Sequence, residues 1–424
     1  MYQELGGRGT PVVYTPGLEK LMFIETKDCS YQNVTDHMNL SCHRRSGEEL
    51  AVTTVQDYVS ATGEQLRSDV EQHLDDALAR FHVEFDKDGS IMDGHSIPES
   101  AIHPVIPRDS NTRITKKAVK QVIKRYNTPR DRSLWISYKR SRACLEKDPM
   151  HTVYCFIDDI CTKHQKEHRS VSGVVTEATK HLQYNTVVYV LYRDQKYSFT
   201  APNTLRGCQM LLGFLLEKHL LENNELFFFS DGADEIRNAV EKVFSFREFH
   251  HLLDWFHVRK ICYQYFTGML KGGKGRLEEN EEIRKTFFDL LWSGNFEKAR
   301  EFVENLSSDL IKREEGRQQL LGYMDRKKSR LYEFAVRKGL HLINTSNRVE
   351  QANNQLIALR QKKNGMSWCE AGSPALANIT MLFVNNEFDS WEATGQLHYR
   401  LTKTNGNTCR VEWSWELDAQ LRSA

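Results

Sequence analysis

Two aspartates follow runs of apolar residues that have the length and composition of buried strands. Residues 226–229, Leu-Phe-Phe-Phe, lead to Asp231, and residues 153–157 lead to Asp158. Open α/β sheets bind their ligands beyond the carboxyl ends of such strands, and carboxylate oxygens are preferred ligands of Mg²⁺. Turns and helix caps also favour aspartate, so one such residue carries little weight. The repetition favours a metal-binding carboxylate set that includes Asp231.

The first acid is doubled, and further candidates follow along the chain. Asp158 is preferred to Asp159 as the ligand because it ends the apolar run directly. A third strand-like run, 249–253, ends in Asp254, and His257 follows three positions later. Glu350 opens a helix with unusually polar neighbours, which favours an active-site face, although a glutamate there is often a capping or dipole residue.

The elements between these residues predict an α/β fold. Strands are expected at 153–157, 186–192, 195–200 and 226–229, with a helix over 205–221 and another from Asp234 to Val243. Gly232 permits the sharp turn before the second helix. The order strand, strand, strand, helix, strand is that of a ribonuclease H-like mixed sheet flanked by helices. Residues 258–340 carry helical patterns alone (281–292, 295–306, 309–325 and 330–337) and predict an all-helical insertion.

The residues before the sheet divide into a helical and a basic part. Within residues 1–66, helices are predicted at 31–40, capped by Ser30 with Val34 and Met38 inward, and at 53–60. In the second helix we expect Val55 and Val59 to face inward, and Thr54, Gln56, Asp57 and Tyr58 outward. The pair predicts either a helix-turn-helix, whose second helix enters the DNA major groove, or an ordinary helical hairpin.

A basic segment follows a polar linker. Arg113–Arg142 holds eleven lysines and arginines against one acid, with three aromatic residues interleaved. Such an excess favours phosphate contacts, with a solvated helix face as the alternative. The candidate DNA-binding residues here are Lys116, Lys117, Lys120, Lys124 and Arg125. The predicted organisation is 1–66 helical, 67–145 linker and basic segment, 146–257 first part of the core, 258–340 insertion, 341–390 last part of the core, and 391–424 tail.

The composition of the chain limits which classes of protein it can belong to. The 58 basic and 57 acidic residues nearly balance, so bulk charge neither requires nor excludes nucleic acid. The nine cysteines form no Cys-x-x-Cys pair, which argues against a zinc ribbon and a disulfide framework and for a reducing cytoplasm. Neither a signal peptide nor an apolar run long enough to span a membrane is evident. A glycine-rich phosphate loop is also missing, which disfavours a nucleotide-processing enzyme.

Taken together, the local sequences resemble a known family. They are FIDDICTKHQKE at the first acid, SDGADEIRNAV at the second, LLDWFHVRK after it, and NRVEQANNQ followed by NGMSWCEAGSPALANI at the third. This ordered set resembles DDE transposases of bacterial insertion sequences, with a helical insertion as in Mutator-like relatives. Asp254 and His257 resemble the Cys/Asp-x-x-His element of these families. The resemblance covers roughly residues 150–390.

The resemblance implies an activity and its partners. Asp158, Asp231 and Glu350 would be the catalytic metal ligands, holding two Mg²⁺ or Mn²⁺ ions about 4 Å apart, supported by Asp159, Asp254 and His257. The ions would promote phosphodiester hydrolysis at the ends of the mobile element and strand transfer into target DNA. Arg348, Arg360, Lys362 and Lys363 would contact backbone phosphate. A homo-oligomer on terminal repeats and target DNA, in the bacterial cytoplasm and nucleoid, is expected.

Two further hypotheses stay open at the level of sequence. A ribonuclease H-like sheet also suits a structure-specific nuclease without strand transfer. A domesticated or truncated element would bind DNA without catalysis. His257 is either a residue that orients an acid or the scissile phosphate, or a structural histidine at the sheet edge.

Overall fold

The computed structural model describes residues 4–5, 12–13, 15–42, 47, 49–138, 144–164, 182–362 and 366–404. It has a mixed α/β architecture in which helices flank a six-stranded mixed sheet. The helices are α1 Pro16–Thr26, α2 Tyr31–Ser41, α3 Val52–Arg80, α4 Glu99–Ile102, α5 Lys116–Asn127, α6 Thr204–Glu217, α7 Asp234–Phe244, α8 Trp255–Met269, α9 Leu277–Trp292, α10 Phe296–Glu304, α11 Glu314–Lys327, α12 Phe334–Gly339, α13 Asn347–Asn353, α14 Leu359–Gln361, α15 Gly372–Val384 and α16 Phe388–Thr394.

In the part of the chain that the structure describes, eight strands form two sheets. They are β1 Glu4–Leu5, β2 Val12–Val13, β3 Thr152–Lys163, β4 Leu182–Tyr192, β5 Gln195–Ala201, β6 Glu225–Ser230, β7 His250–Leu253 and β8 Thr402–Lys403. The first two pair with each other, and the main sheet has the order β7-β6-β3-β4-β5-β8. Strands β3, β4, β5 and β8 are antiparallel neighbours, whereas β6 and β7 run parallel to β3. The predicted strands and their order are therefore present.

Helices cover both faces of this sheet. On one face, α6 packs so closely on β4 that a Cβ at Gly207 would lie 3.2 Å from the Thr186 side chain. The opposite face of β4 presents Asn185, whose amide donates to Ser373 Oγ at the start of α15. Because side chains alternate along a strand, odd-numbered residues of β4 face α13 and α15, and even-numbered residues face α6. The sheet is thus buried on both sides.

The first strand of the sheet is longer than its apolar run. The predicted strand ends at residue 157, but β3 continues to Lys163 because β4 pairs with it from Val153 to Lys163. The pairing with β6 stops at Phe156. Asp158 is therefore inside a strand rather than at its tip, and the prediction of a strand end was wrong in this respect. Asp158 lies past the point where the neighbouring strand β6 ends, although its own strand continues.

The N-terminal helices pack onto the C-terminal part of the chain. The inward positions Val34, Met38, Val55 and Val59 are fully buried, and Ser30 caps α2, as predicted. Tyr58, predicted to face outward, is only 5% exposed. It lies against Phe23, with ring centroids 5.5 Å apart.

The second predicted helix is also much longer than expected. It is the beginning of the 29-residue α3, so the boundary drawn at residue 66 falls inside a helix. At Gly63, a Cβ would lie 2.2 Å from the Ala375 carbonyl oxygen of α15, and at Gly213 of α6 it would lie 2.5 Å from the Leu74 carbonyl oxygen. The helix that a helix-turn-helix would place in the DNA major groove therefore packs along α15 and α6.

The basic segment begins with α5, an amphipathic helix. Thr115 caps it, and Ala118, Val119 and Ile123 are buried against α12 and the residues that follow it. The stretch 67–115 is not a linker throughout, since α3 extends to Arg80 and α4 lies at Glu99–Ile102. Lysines on the outer side of α5 remain exposed.

Residues 258–340 are largely helical, as predicted. Helices α8 to α11 enclose their own core, which includes Phe266, Phe287 and Leu320. The observed helix limits differ from the predicted ones by a few residues at most positions. Short 3₁₀ turns lie at Lys274–Arg276 and Lys328–Arg330, and before the sheet at Arg132–Leu134 and Pro149–His151.

A buried ion pair attaches the end of this region to the entrance of the sheet. The guanidinium of Arg337, 1% exposed, donates to the Glu146 carboxylate at 2.7 Å and to the Cys144 carbonyl at 2.6 Å. It also donates to the carbonyl of Ile343. These bonds fix the segment that leads into α13.

The last described residues lie against the edge of the sheet. After α13 the helical path widens into a π-helical turn, Asn354–Ala358, before α14. The predicted tail, 391–424, contains the end of α16 and the edge strand β8, which pairs with β5. Among the described residues, no helix is long and apolar enough to cross a membrane.

Candidate active site

The register of three parallel strands brings three aspartates to the same face of the sheet. Phe156 pairs with Phe229, and Phe229 pairs with Leu252. Since side chains return to the same face every second residue, the residues two positions further along share that face. They are Asp158, Asp231 and Asp254. This is the face covered by α13, which carries Glu350.

The two acids of the doubled aspartate point in opposite directions. Asp158 lies on the α13 face, and its Oδ2 accepts a hydrogen bond of 2.7 Å from Asn353 Nδ2. Asp159 lies on the α6 face, where the hydroxyls of Thr186 and Thr204 donate to it at 2.5 and 3.0 Å. Only Asp158 therefore shares the space between the sheet and the helix of Glu350.

The environment of Asp158 disfavours a negative charge. Burial, and next the charge of Asp231, raise the pKa of Asp158 to about 7, while His257 opposes the increase. A bound cation would stabilise the charged form of a carboxylate that is partly removed from water and lies near a second carboxylate.

Asp231 lies on a tightly held turn at the end of β6. Its Oδ1 accepts a hydrogen bond of 2.8 Å from the Ala233 backbone, and Gly232 has a φ of +97°. Lys327, 6% exposed, donates to the Gly232 carbonyl at 2.8 Å and to Asp234 Oδ1 at 2.6 Å. The end of α11 thus fixes the turn that carries Asp231.

Asp254 is a fully buried connection between two helices. Its Oδ1 caps α8 by accepting from the His257 backbone at 2.9 Å, and its Oδ2 accepts from the backbone and the hydroxyl of Ser346, just before α13. Burial would raise the pKa of Asp254, but the side chain of His257, and next the donors of Ser346 and the His257 backbone, hold it below the usual value. Both oxygens are engaged, so Asp254 positions its neighbours.

His257 connects Asp254 with Glu350. Its Nδ1 lies 3.6 Å from Asp254 Oδ1 and 3.8 Å from Glu350 Oε1. Asp254 first, and then Asp231 and Glu350, raise the pKa of His257, although burial opposes them. One ligand atom from each of Asp254, His257 and Glu350 lies within 4.8 Å of the others, a spacing that could hold a metal ion. The Glu350 side chain is 41% exposed and remains accessible to a substrate.

No family model, curated protein or solved structure matches this chain. Asp158 and Asp231 interact directly through their charges, and Glu350 joins them through His257, which is influenced by all three carboxylates. Among the described residues, Asp254, His257 and Glu350 bring ligand atoms close to one another. Asp158 and Asp231 are linked to this group through their charges, whereas Asp159 lies on the other face of the sheet.

Sequence reasoning missed Asn353 and Lys327. Asn353 is 7% exposed, bonds Asp158, and has an Oδ1 without a hydrogen-bond partner among the described residues. It lies three positions after Glu350 on the same helix, a spacing that places both on one face and could have indicated it. No local pattern distinguishes Lys327 from the exposed Lys328, because only the packing of α11 buries it.

The predicted DNA-contacting residues differ in exposure. Lys116, Lys117, Lys120, Lys124 and Arg125 are exposed on α5, and we call these five residues the basic face. Lys362 is exposed, and the half-buried Arg348 lies beside Tyr189. Lys363 lies outside the described residues.

Arg360 does not fit the predicted phosphate contact. It is 4% exposed, its Nε donates to the Thr26 carbonyl at 3.0 Å, and its guanidinium lies 5.4 and 5.2 Å from the rings of Tyr31 and Trp368. This burial disfavours the predicted phosphate contact, because Thr26 at the end of α1 and Tyr31 at the start of α2 lie against the guanidinium.

Proposed function

We propose that this protein is a DDE-type DNA transposase with a ribonuclease H-like sheet, which hydrolyses phosphodiester bonds at element ends and transfers the strands into target DNA. The observation that carries the proposal is the shared position of Asp158 and Asp231 on one sheet face, beneath the helix that carries Glu350. Three carboxylates from separate elements can surround a substrate phosphate without any nucleophilic side chain.

The donor set suits Mg²⁺ or Mn²⁺. Asp158, Asp231 and Glu350 offer carboxylate oxygens, which hard divalent cations prefer. The raised pKa of Asp158 indicates that negative charge is poorly compensated there by the protein alone. When bound, the cations would stabilise the negative charge of the attacked phosphate and make water, or a DNA 3′ hydroxyl, a better nucleophile.

The remaining residues hold these ligands in place. Asn353 fixes the orientation of the Asp158 carboxylate through its amide. Asp254 fixes the start of α13, and hence Glu350, through Ser346. His257 Nδ1 lies 3.8 Å from Glu350 Oε1 and can help to orient this carboxylate. Such supporting contacts commonly determine how well a site binds its metal.

The basic face of α5, with Lys362 and Arg348, supplies candidate contacts for DNA phosphates. Its lysines lie on the exposed side of one helix, as sequence-independent phosphate binding requires. We propose terminal repeats and target DNA as the partners, bound by a homo-oligomer that holds two element ends.

A cleavage and joining assay tests the proposal. The substrate is DNA that carries the sequences flanking the gene, incubated with Mg²⁺ or with chelator. We expect nicking at a defined end followed by joining, both abolished in Asp158→Asn, Asp231→Asn and Glu350→Gln with DNA binding retained. Asp159→Asn is the matched control and should remain active, because Asp159 faces α6.

The other outcomes separate the alternatives. Cleavage that is never followed by joining would indicate a structure-specific nuclease. DNA binding without cleavage, unchanged in Asp231→Asn, would indicate a DNA-binding protein that has lost catalysis. Full activity in any one of the three variants would contradict the role assigned to that residue.

A further inference from the structure

The outer side of α8 exposes two large aromatic side chains. Phe256 is 57% exposed and Tyr263 is 48% exposed. They are seven positions apart, about 10 Å along the helix, so they lie on the same side after two turns. Arg259 and Lys260 lie between them on that side and are also exposed. We call these four residues the aromatic-basic face.

The opposite side of α8 fixes this face rigidly. Val258, Cys262, Phe266 and Met269 are completely buried in the core of the helical region. One side of α8 is therefore packed in the core, and this packing holds the exposed side in a fixed position.

The aromatic-basic face starts at the candidate active site. Phe256 immediately precedes His257, which contacts Glu350, and Asp254 caps the helix from the sheet. The face then extends away from the carboxylates by two helical turns. A strand whose reacting phosphate lay at these carboxylates could continue directly along α8.

The charges of this surface favour a polyanion. The sequence of α8 contains no aspartate or glutamate. The guanidinium of Arg284 lies 4.6 Å from the Tyr263 ring, and that of Arg259 lies 5.8 Å from the Phe288 ring. Arg284 therefore lies over one of the two exposed rings, and Arg259 and Lys260 lie between the rings along the helix, so that these cations can neutralise phosphates.

We propose that the aromatic-basic face binds unpaired nucleotides of the DNA strand that enters the active site. Exposed rings attract bases whose faces are free, whereas an intact duplex has its base faces already stacked. The spacing of the two rings corresponds to about three nucleotide steps. This inference rests on the proposed function and adds the form of DNA recognised beside the cleavage site.

Binding measured without metal tests this inference separately from catalysis. In chelator, fluorescence anisotropy compares the full-length protein on a blunt duplex and on the same duplex with a short unpaired extension. The wild type should bind the extended DNA more tightly. Phe256→Ala combined with Tyr263→Ala should lower its affinity for the extended DNA about tenfold to a hundredfold and change blunt-duplex affinity less than about twofold.

Matched variants control for folding and for general surface effects. Leu277→Ala removes another exposed apolar side chain of the helical region, 66% exposed, and should leave both affinities unchanged. Phe256→Tyr combined with Tyr263→Phe retains both rings and should preserve the preference. Thermal unfolding of each variant verifies that the fold is intact.

Three results would overturn the inference. If the alanine variant retained the wild-type preference, the face would not bind unpaired DNA, although the proposed function would stand. If sedimentation showed that the alanine variant changed oligomeric state with unchanged DNA binding, the face would be an interface between copies of the chain. If the wild type bound neither DNA, both the inference and the proposed function would fail.

Discussion

Replacing Asp158 with asparagine should stabilise the metal-free protein at neutral pH. Burial and the charge of Asp231 raise the pKa of Asp158 from its ordinary value of 3.8 to about 7. The folded state therefore holds this proton more tightly than the unfolded state. At about 1.4 kcal/mol per pH unit, the difference corresponds to at most about 4 kcal/mol. Asparagine has nearly the same shape, stays neutral and can still accept from Asn353.

The sign of the effect follows from the two proton affinities. Below about pH 4, Asp158 is protonated in both states, and the variant should gain no stability. As the pH rises towards about 7, the unfolded state releases the proton first, so the wild type loses stability. Above about pH 7 the loss is complete. Because Asp158 is not fully enclosed, solvent screening should reduce the gain of the variant to about 2 kcal/mol.

Urea unfolding in chelator, followed by circular dichroism at about pH 4 and about pH 8, measures this difference. Asp194→Asn, in the exposed turn between β4 and β5, is the control and should gain nothing at either pH. Asp231→Asn should increase the free energy of unfolding less than Asp158→Asn does. The reason is that the charge of Asp231 raises the pKa of Asp158 less than burial does. Equal stability of wild type and Asp158→Asn at the higher pH, or an equal gain at both, would refute the reasoning.

Two further substitutions examine the residues that support the acids. Lys327→Met should lower the free energy of unfolding by about 2–3 kcal/mol, since it removes buried charged hydrogen bonds at the Asp231 turn. Lys328→Met, at an exposed position, should change it by less than about 0.5 kcal/mol; an equal loss in both would contradict this role. Asn353→Leu should weaken Mn²⁺ binding by about tenfold or more in calorimetry, because the orientation of its carboxylate partner is lost. The control is Asn354→Leu, at an exposed neighbouring position, which should bind Mn²⁺ as tightly as the wild type. If Asn353→Leu also bound Mn²⁺ as tightly as the wild type, the amide of Asn353 would have no role in the site.

From the sequence alone, the strands of the main sheet and several candidate site acids could be predicted. Apolar runs, their lengths and the turn residues after them predicted β6, α7 and the position of Asp231 just after β6, because these features depend on neighbours in sequence. The helical region was predictable in the same way, from periodic apolar residues such as Phe287 and Leu290 of α9.

Only the tertiary structure decided which acids meet. The local pattern stopped the first strand at residue 157, whereas pairing with a strand distant in sequence extends β3 and assigns Asp158 and Asp159 to opposite faces. The burial of Arg360 and Lys327, and the bond between Asn353 and Asp158, likewise depend on helices from remote parts of the chain. Sequence patterns report the periodicity of one segment, while strand pairing and helix packing join segments hundreds of residues apart, and these contacts determine which charges lie beside one another.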